Sequence, residues 1–149
     1  LYEEVARRGL QSNVLLLGRF PVERMPSFYA HTDALLVSLK KDPVFSLTIP
    51  GKMQSYLMAG LPILGMLDGE GAQVITDSNA GLVCAAGNSG GLASAVLEMF
   101  AMSVDQRRQL GVNGRDYARK EFGRGLLMDQ LEVLLHYSAD LHRQAKLST

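Results

Sequence analysis

A chain of 149 residues with nearly half its residues apolar has the size and the hydrophobic content of one ordinary folded domain, which argues against disorder. Fifteen basic residues balance fifteen acidic ones, and no long basic run interrupts the sequence, so an electrostatic nucleic-acid binder is not expected. Cys84, the single cysteine, excludes an intramolecular disulfide and a cysteine-based zinc site within one chain, and no run approaches the roughly 18 apolar residues of a membrane span. The N-terminus is charged rather than signal-like, and the chain reads as soluble and intracellular.

The first element is a helix over Leu1 to Arg8, ending at Gly9. Asn13 to Leu17 follows as an apolar run expected to be a buried strand, with Gly18 to Pro21 as its loop. Val22 to Ala30 is a helix that must hold Pro26 in its first turns. Asp33 to Leu39 is a second apolar strand. Such continuous runs suit strands covered on both faces, as in parallel sheets. The rhythm continues with a helix over Pro50 to Ala59, a glycine stop at Gly60, and a strand over Pro62 to Met66. The turn Asp68 to Gly71 leads into a helix over Ala72 to Asp77, and Gly81 to Ala85 is the next strand, with Cys84 as a core residue.

Beyond that point the chain turns helical. Leu92, Val96, Met99 and Phe100 mark one amphipathic face, Gln106 to Phe122 a second helix, and Leu127, Leu131, Leu134 and Leu141 the stripe of a third. Alternating strand and helix with short connections predicts an α/β fold, a doubly wound and mainly parallel sheet with right-handed crossovers, followed by C-terminal helices. The expected division is an α/β core over 1–122 and a helical end over 123–149.

In such a sheet a ligand sits outside the carboxyl ends of the strands. Three loops occupy that edge: Gly18 to Pro21, Ser38 to Lys52 and Leu67 to Gly71. The stretch from Thr48 to Leu64 is the most telling, because a helix opening past a strand offers free backbone N–H groups and a positive dipole end to an anion, and Lys52 stands at that opening. Pro50 and Gly51 lead into it. Gly69 and Gly71 let a ligand approach the backbone closely, and Glu70 is favoured by the helix dipole whatever its role. Phe20 offers a stacking face beside Arg19. The plain alternatives are a solvated Lys52, turn glycines at positions 69 and 71, and packing roles for Tyr56, Leu57 and Ala59. The late basic residues, including Arg107, Arg108, Arg115, Arg119 and Lys120, read as a solvated helix face. His31, His136 and His142 share no metal-ligand spacing, and no paired carboxylates of the glycosidase type can be placed.

The series of motifs resembles the C-terminal, nucleotide-sugar-binding half of family-4-type GT-B glycosyltransferases. It is carried by Asn13 to Gly18 with Phe20 and Pro21; by Met25, Pro26, Tyr29 and Ala30 before Asp33 to Ser38; and by Pro50, Lys52, Tyr56, Leu57, Ala59, Gly60, Pro62 and Ile63. Asp68 to Ala72 with Ile75 and Gly81, and then Arg108, Gly111, Asn113, Gly114, Arg115 and Phe122, extend it over nearly the whole chain. The variant Thr48, Ile49, Pro50, Gly51, Lys52 is most similar to bacterial enzymes that transfer N-acetylated deoxysugars such as N-acetylfucosamine.

The resemblance implies a retaining transferase using a UDP-activated sugar, without metal or other cofactor, in bacterial surface polysaccharide or lipid-linked oligosaccharide synthesis. It assigns Arg19 and Phe20 to the base, Ser38, Thr48, Pro50, Gly51, Lys52 and Ser55 to ribose and diphosphate, and Gly69, Glu70 and Gly71 to the sugar. Catalytic residues are not assigned. The family carries a pair of glutamates across the loop and helix, the second of which holds the ribose; Leu47 and Ser55 stand at those positions, so Ser55 or Gln54 is left to meet a ribose hydroxyl. The resemblance also implies a cytoplasmic protein, its parent peripheral at the inner membrane face, with an N-terminal domain and further strands preceding Leu1, so that the chain alone is expected to be inert. Asn13 to Leu17 would then lack its sheet neighbour, and is expected to pair with Asp33 to Leu39 or to join a second chain in a homodimer. A sugar-nucleotide epimerase on a similar fold and a ligand-free α/β interaction module are the alternatives.

Overall fold

A computed structural model describes residues 1–147; Ser148 and Thr149 lie outside it. The chain forms two compact units, Leu1–His31 and Thr32–Thr149.

The first unit is small. Helix α1, Tyr2–Arg7, ends where Gly9 takes a left-handed conformation at φ +64°. Glu4 accepts hydrogen bonds from both Arg7 and Arg8, and these hold its carboxyl down at about 2. A 3-10 turn, Val22–Arg24, runs into helix α2, Met25–Tyr29, with Pro26 at its second position, where no backbone donor is needed. The expected strand at Asn13 to Leu17 does not form. That segment has no ladder, leaves Leu15 73% and Leu17 59% exposed, and is tied by the Tyr2 hydroxyl donating to the Leu16 carbonyl. An apolar run becomes a strand only where a neighbour accepts its backbone groups, and among the described residues none does. The expected pairing with Asp33 to Leu39 is therefore absent.

The second unit carries the sheet. Strands β1 (Leu35–Ser38), β2 (Ile63–Met66) and β3 (Gly81–Cys84) are parallel in the order β1-β2-β3, with Leu35 opposite Ile63 and Ile63 opposite Gly81. The run Ile63, Leu64 shows why the strands read as continuously apolar. Ile63 points into a core with Val37, Met53, Leu57, Leu67, Val74, Ile75, Ala80 and Ala118, whereas Leu64 points to the other face, against Ala95 and Met99. Both faces of β2 are covered, so neither phase of its alternation is polar, whereas at β1 Leu36 and Ser38 remain exposed.

Between β1 and β2 lie α3 (Pro43–Ser46), a short turn the sequence did not announce, and α4 (Lys52–Ala59). Helix α5 (Glu70–Asp77) joins β2 to β3 and starts two residues before the expected Ala72. Then α6 (Ser89–Ala101), α7 (Val104–Glu121) and α8 (Arg124–Leu147) follow. Helix α7 opens with a capping box, Ser103 and Gln106 exchanging side-chain and backbone hydrogen bonds. Of the leucine stripe on α8, Leu127, Leu131 and Leu134 are exposed, while the Leu141 side chain lies outside the described residues. Among the described residues no helix is long and apolar enough to cross a membrane.

Candidate functional site

The carboxyl edge of the sheet is assembled by backbone contacts rather than side-chain pairs. Beyond Ser38, the exposed last residue of β1, Asp42 caps α3 by accepting from the Val44 N–H at 2.8 Å. This turn carries Ser46 to the second loop. Gly69 has φ +68° and ψ −143°, and a Cβ there would lie 2.5 Å from the Ser46 carbonyl carbon and 2.6 Å from its Cα. Only glycine fits. Two residues on, a Cβ at Gly71 would lie 2.6 Å from Leu67 Cδ1 and 3.0 Å from Pro50 Cδ. The loops after β1 and β2 are thus pressed together at the openings of α4 and α5. Asp68 extends the link to β3, accepting from the Ala86 N–H at 3.0 Å.

At the head of α4, Gly51 is the cap without a side-chain bond, and the Met53 N–H donates to the Pro50 carbonyl at 2.8 Å. Lys52, the first helical residue, is exposed and has no ion pair among the described residues. Thr48 turns its hydroxyl onto the Phe45 carbonyl at 3.2 Å, a bond that closes its own loop. Glu70 is exposed at the first position of α5, so one cation and one anion stand on adjacent helix starts. Among the described residues no group of histidine, cysteine and carboxylate side chains is arranged to hold a metal ion.

The second helix layer determines what lies beside α4. Helices α4 and α7 run antiparallel in close contact. A Cβ at Gly111 would lie 2.5 Å from the Gly60 carbonyl carbon, and one at Gly114 would lie 2.9 Å from Ala80 Cβ and 3.1 Å from Leu57 Cδ2. Arg115 closes the far end of α4, its Nη2 donating to the Ala59 carbonyl at 2.8 Å. Further along, the two helices diverge into a cleft of about 420 Å³ lined by Gln54, Ser55 and Met58 on one side and Ala118, Arg119, Phe122 and Gly123 on the other.

The expected site residues therefore divide. Ser38, Thr48, Pro50, Gly51, Lys52, Gly69, Glu70 and Gly71 all belong to the loops and helix starts at the carboxyl edge, and direct contacts join Pro50 to Gly71 and the Ser46 turn to Gly69. Ser55 faces the α4–α7 cleft one turn further in. Arg19 and Phe20 belong to the first unit, where the Phe20 ring meets Phe28 edge-on at 4.9 Å. Sequence reasoning placed Ser46 and Asp68 within the edge loops but gave neither residue a role. The turn signal of Asp68 before Gly69 is local, whereas its bond from the Ala86 N–H depends on where β3 ends and leaves no mark in the neighbouring sequence.

The sequence profile of the family described as Glycosyl transferases group 1 matches residues 1–102. Among solved structures, sucrose-phosphate synthase from Thermosynechococcus elongatus superposes with a TM-score of 0.71 at 20% identity, over 92% of this chain and 34% of that one. The chain thus spans about a third of that enzyme's length, and the likeness is one of fold, the Rossmann-like α/β domain of the GT-B type. No curated protein sequence matches. With residues 1–102 of 149 inside the family profile, the chain belongs to the group 1 glycosyl transferases.

Proposed function

We propose that this chain is the donor-binding half of a retaining glycosyltransferase that takes a UDP-activated, N-acetylated sugar, of the N-acetylfucosamine type, for bacterial surface polysaccharide or lipid-linked oligosaccharide synthesis. The observation that carries the reading is the convergence of the Ser46 turn and Pro50 on Gly69 and Gly71, beside an unpaired Lys52 at the opening of α4. Bare backbone at a strand edge, next to a helix start and a cation, suits a diphosphate and the sugar it carries.

In this reading Lys52 and the α4 N-terminus neutralise the diphosphate, whose charge grows as the glycosidic bond breaks, so their attraction is greater in the transition state than in the ground state. Gly69 to Gly71 line the sugar. The acceptor and the residues that act on it belong to the rest of the enzyme, which works on the cytoplasmic side where nucleotide sugars are made. Calorimetry with UDP, UDP-N-acetylglucosamine and ADP tests this. UDP and its sugar should bind, ADP more weakly, and Lys52→Ala should weaken UDP by about tenfold, the effect of one charge-assisted contact. Absence of UDP binding would sink the reading.

A further inference from the structure

We propose that the open edge of β1 is the docking surface for a second copy of this chain, the two β1 strands pairing antiparallel about a two-fold axis. This goes beyond the donor reading and does not depend on it.

The sheet order leaves β1 with a partner on one side only. Leu35 and Leu39 donate their N–H groups to the Pro62 and Met66 carbonyls at 2.9 and 3.0 Å, so in the alternation of a strand Leu36 and Ser38 turn their N–H and C=O groups away from β2. Among the described residues no backbone group pairs with them. Edges are usually protected by proline, a bulge or a charged side chain within the strand. Leu35–Ser38 has none of these, and Leu36 is 48% exposed. At the other edge of the sheet, β3 is half-buried along its whole length. The unpaired edge expected at Asn13 to Leu17 lies instead at β1.

The edge continues into an apolar surface. Leu36 is level with Leu64 in the register and shares its face of the sheet. On that face lies a groove of about 570 Å³, lined chiefly by Ala34, Leu64, Val96, Met99, Phe100 and Val104, with Phe100 82% exposed. Four-residue strands alone fall short of the roughly 800 Å² per partner that a stable interface buries, and the groove adds apolar area to the same contact.

Charge selects the occupant. Asp33 precedes the strand and Lys40 and Lys41 follow it; all three are exposed, and none has an ion pair among the described residues. The next acid, Asp42, is engaged in capping α3, and that end of the strand stays net positive. A strand polarised in this way attracts its own copy only when antiparallel, because a parallel pairing aligns like charges. The register that sets Leu36 opposite Ser38 of the copy also sets Asp33 opposite Lys41, and two-fold symmetry makes each contact twice. The two sheets then join into one, with both open edges closed.

Sedimentation velocity over a concentration series tests this, with thermal melting as the control for folding. The full chain should dimerise, and Leu36→Lys should leave it monomeric. Asp33→Lys and Lys41→Asp should each weaken the dimer about tenfold, since each turns two attractions into repulsions, and the double reversal should restore it. Leu15→Lys, on the other exposed apolar run, should leave the dimer unchanged. None of these variants touches a residue assigned to the donor. A monomer at every concentration, a dimer that survives Leu36→Lys or is lost in Leu15→Lys, or a double reversal no tighter than the single ones overturns the proposal and leaves the donor reading intact.

Discussion

Gly69→Ala tests whether the site rests on backbone clearance. At Gly69 the chain takes φ +68° and ψ −143°, a region almost closed to residues with a Cβ, and the added methyl would lie 2.5 Å from the Ser46 carbonyl carbon. Strain of this kind costs on the order of 1–3 kcal/mol, and forcing an extra methyl against fixed neighbours costs about as much again. Neither the Ser46 carbonyl nor the turn it belongs to can rotate away as a side-chain tip could. The expected loss is about 2–6 kcal/mol, seen as a fall of roughly 5–20 °C in melting temperature. Gly87→Ala is the control. Gly87 also has a positive φ, +78°, but nothing lies within 4 Å of its missing Cβ, so only the conformational cost of about 1 kcal/mol applies. Urea titration of the two variants separates the terms. If Gly69→Ala is no more destabilised than Gly87→Ala, the loops after β1 and β2 are not in contact as described, and the argument for a preformed site fails with them.

Leu57→Ala, in the fully buried core between α4 and the sheet, should lose about 3 kcal/mol by denaturant titration; a loss under about 1 kcal/mol would mean that α4 is not seated there. Ser103→Ala removes one half of the α7 capping box and should cost about 1 kcal/mol, largely spared in Ser103→Asp. Tyr117 has its phenol pushed up, first by burial and then by the Glu121 and Asp77 carboxylates. A raised value means that this contribution to stability is intact below the unfolded-state pKa near 10 and is lost as pH rises through the higher folded value, so Tyr117→Phe should lose less stability in alkali than wild type. Equal alkaline losses would contradict it. Glu4 has the opposite sign. Its Arg7 and Arg8 bonds persist above the ordinary carboxylate range and vanish as pH falls through about 2, which NMR titration of its carboxyl group reads directly.

The three strands that formed were legible as short apolar runs, and Leu35 to Ser38, Ile63 to Met66 and Gly81 to Cys84 all carry that signal and find ladder partners, although only the central strand β2 is buried on both faces and β1 leaves Leu36 and Ser38 exposed. Asn13 to Leu17 carries the same signal and remained irregular. Composition reports what a segment would bury, not whether a neighbouring strand is there to accept its backbone groups, and that difference lies outside any local pattern. Helix α3 was missed for a related reason. Four residues opened by an Asp42 cap give too short a window for periodicity, and the cap alone resembled a turn.

The site was legible where glycine was the signal and obscure where side chains were. Gly69 and Gly71 stood out because a glycine between a strand and a helix implies close approach, but the sequence could not say that what approaches is the protein's own Ser46 and Pro50. This alters what the glycines do: they clamp two loops into one wall beside Lys52 and the α4 start. Arg119 was expected on a solvated helix face, and its side chain is 65% exposed. Its placement beside Ser55 follows from Gly111 and Gly114, several residues away, which bring α7 close enough to Gly60 and Leu57 to fix the register of the two helices. The small residues of this chain are thus its most informative ones twice over, at the sheet edge and at the helix seam, and a methyl group added at either place should destabilise the fold through the backbone alone.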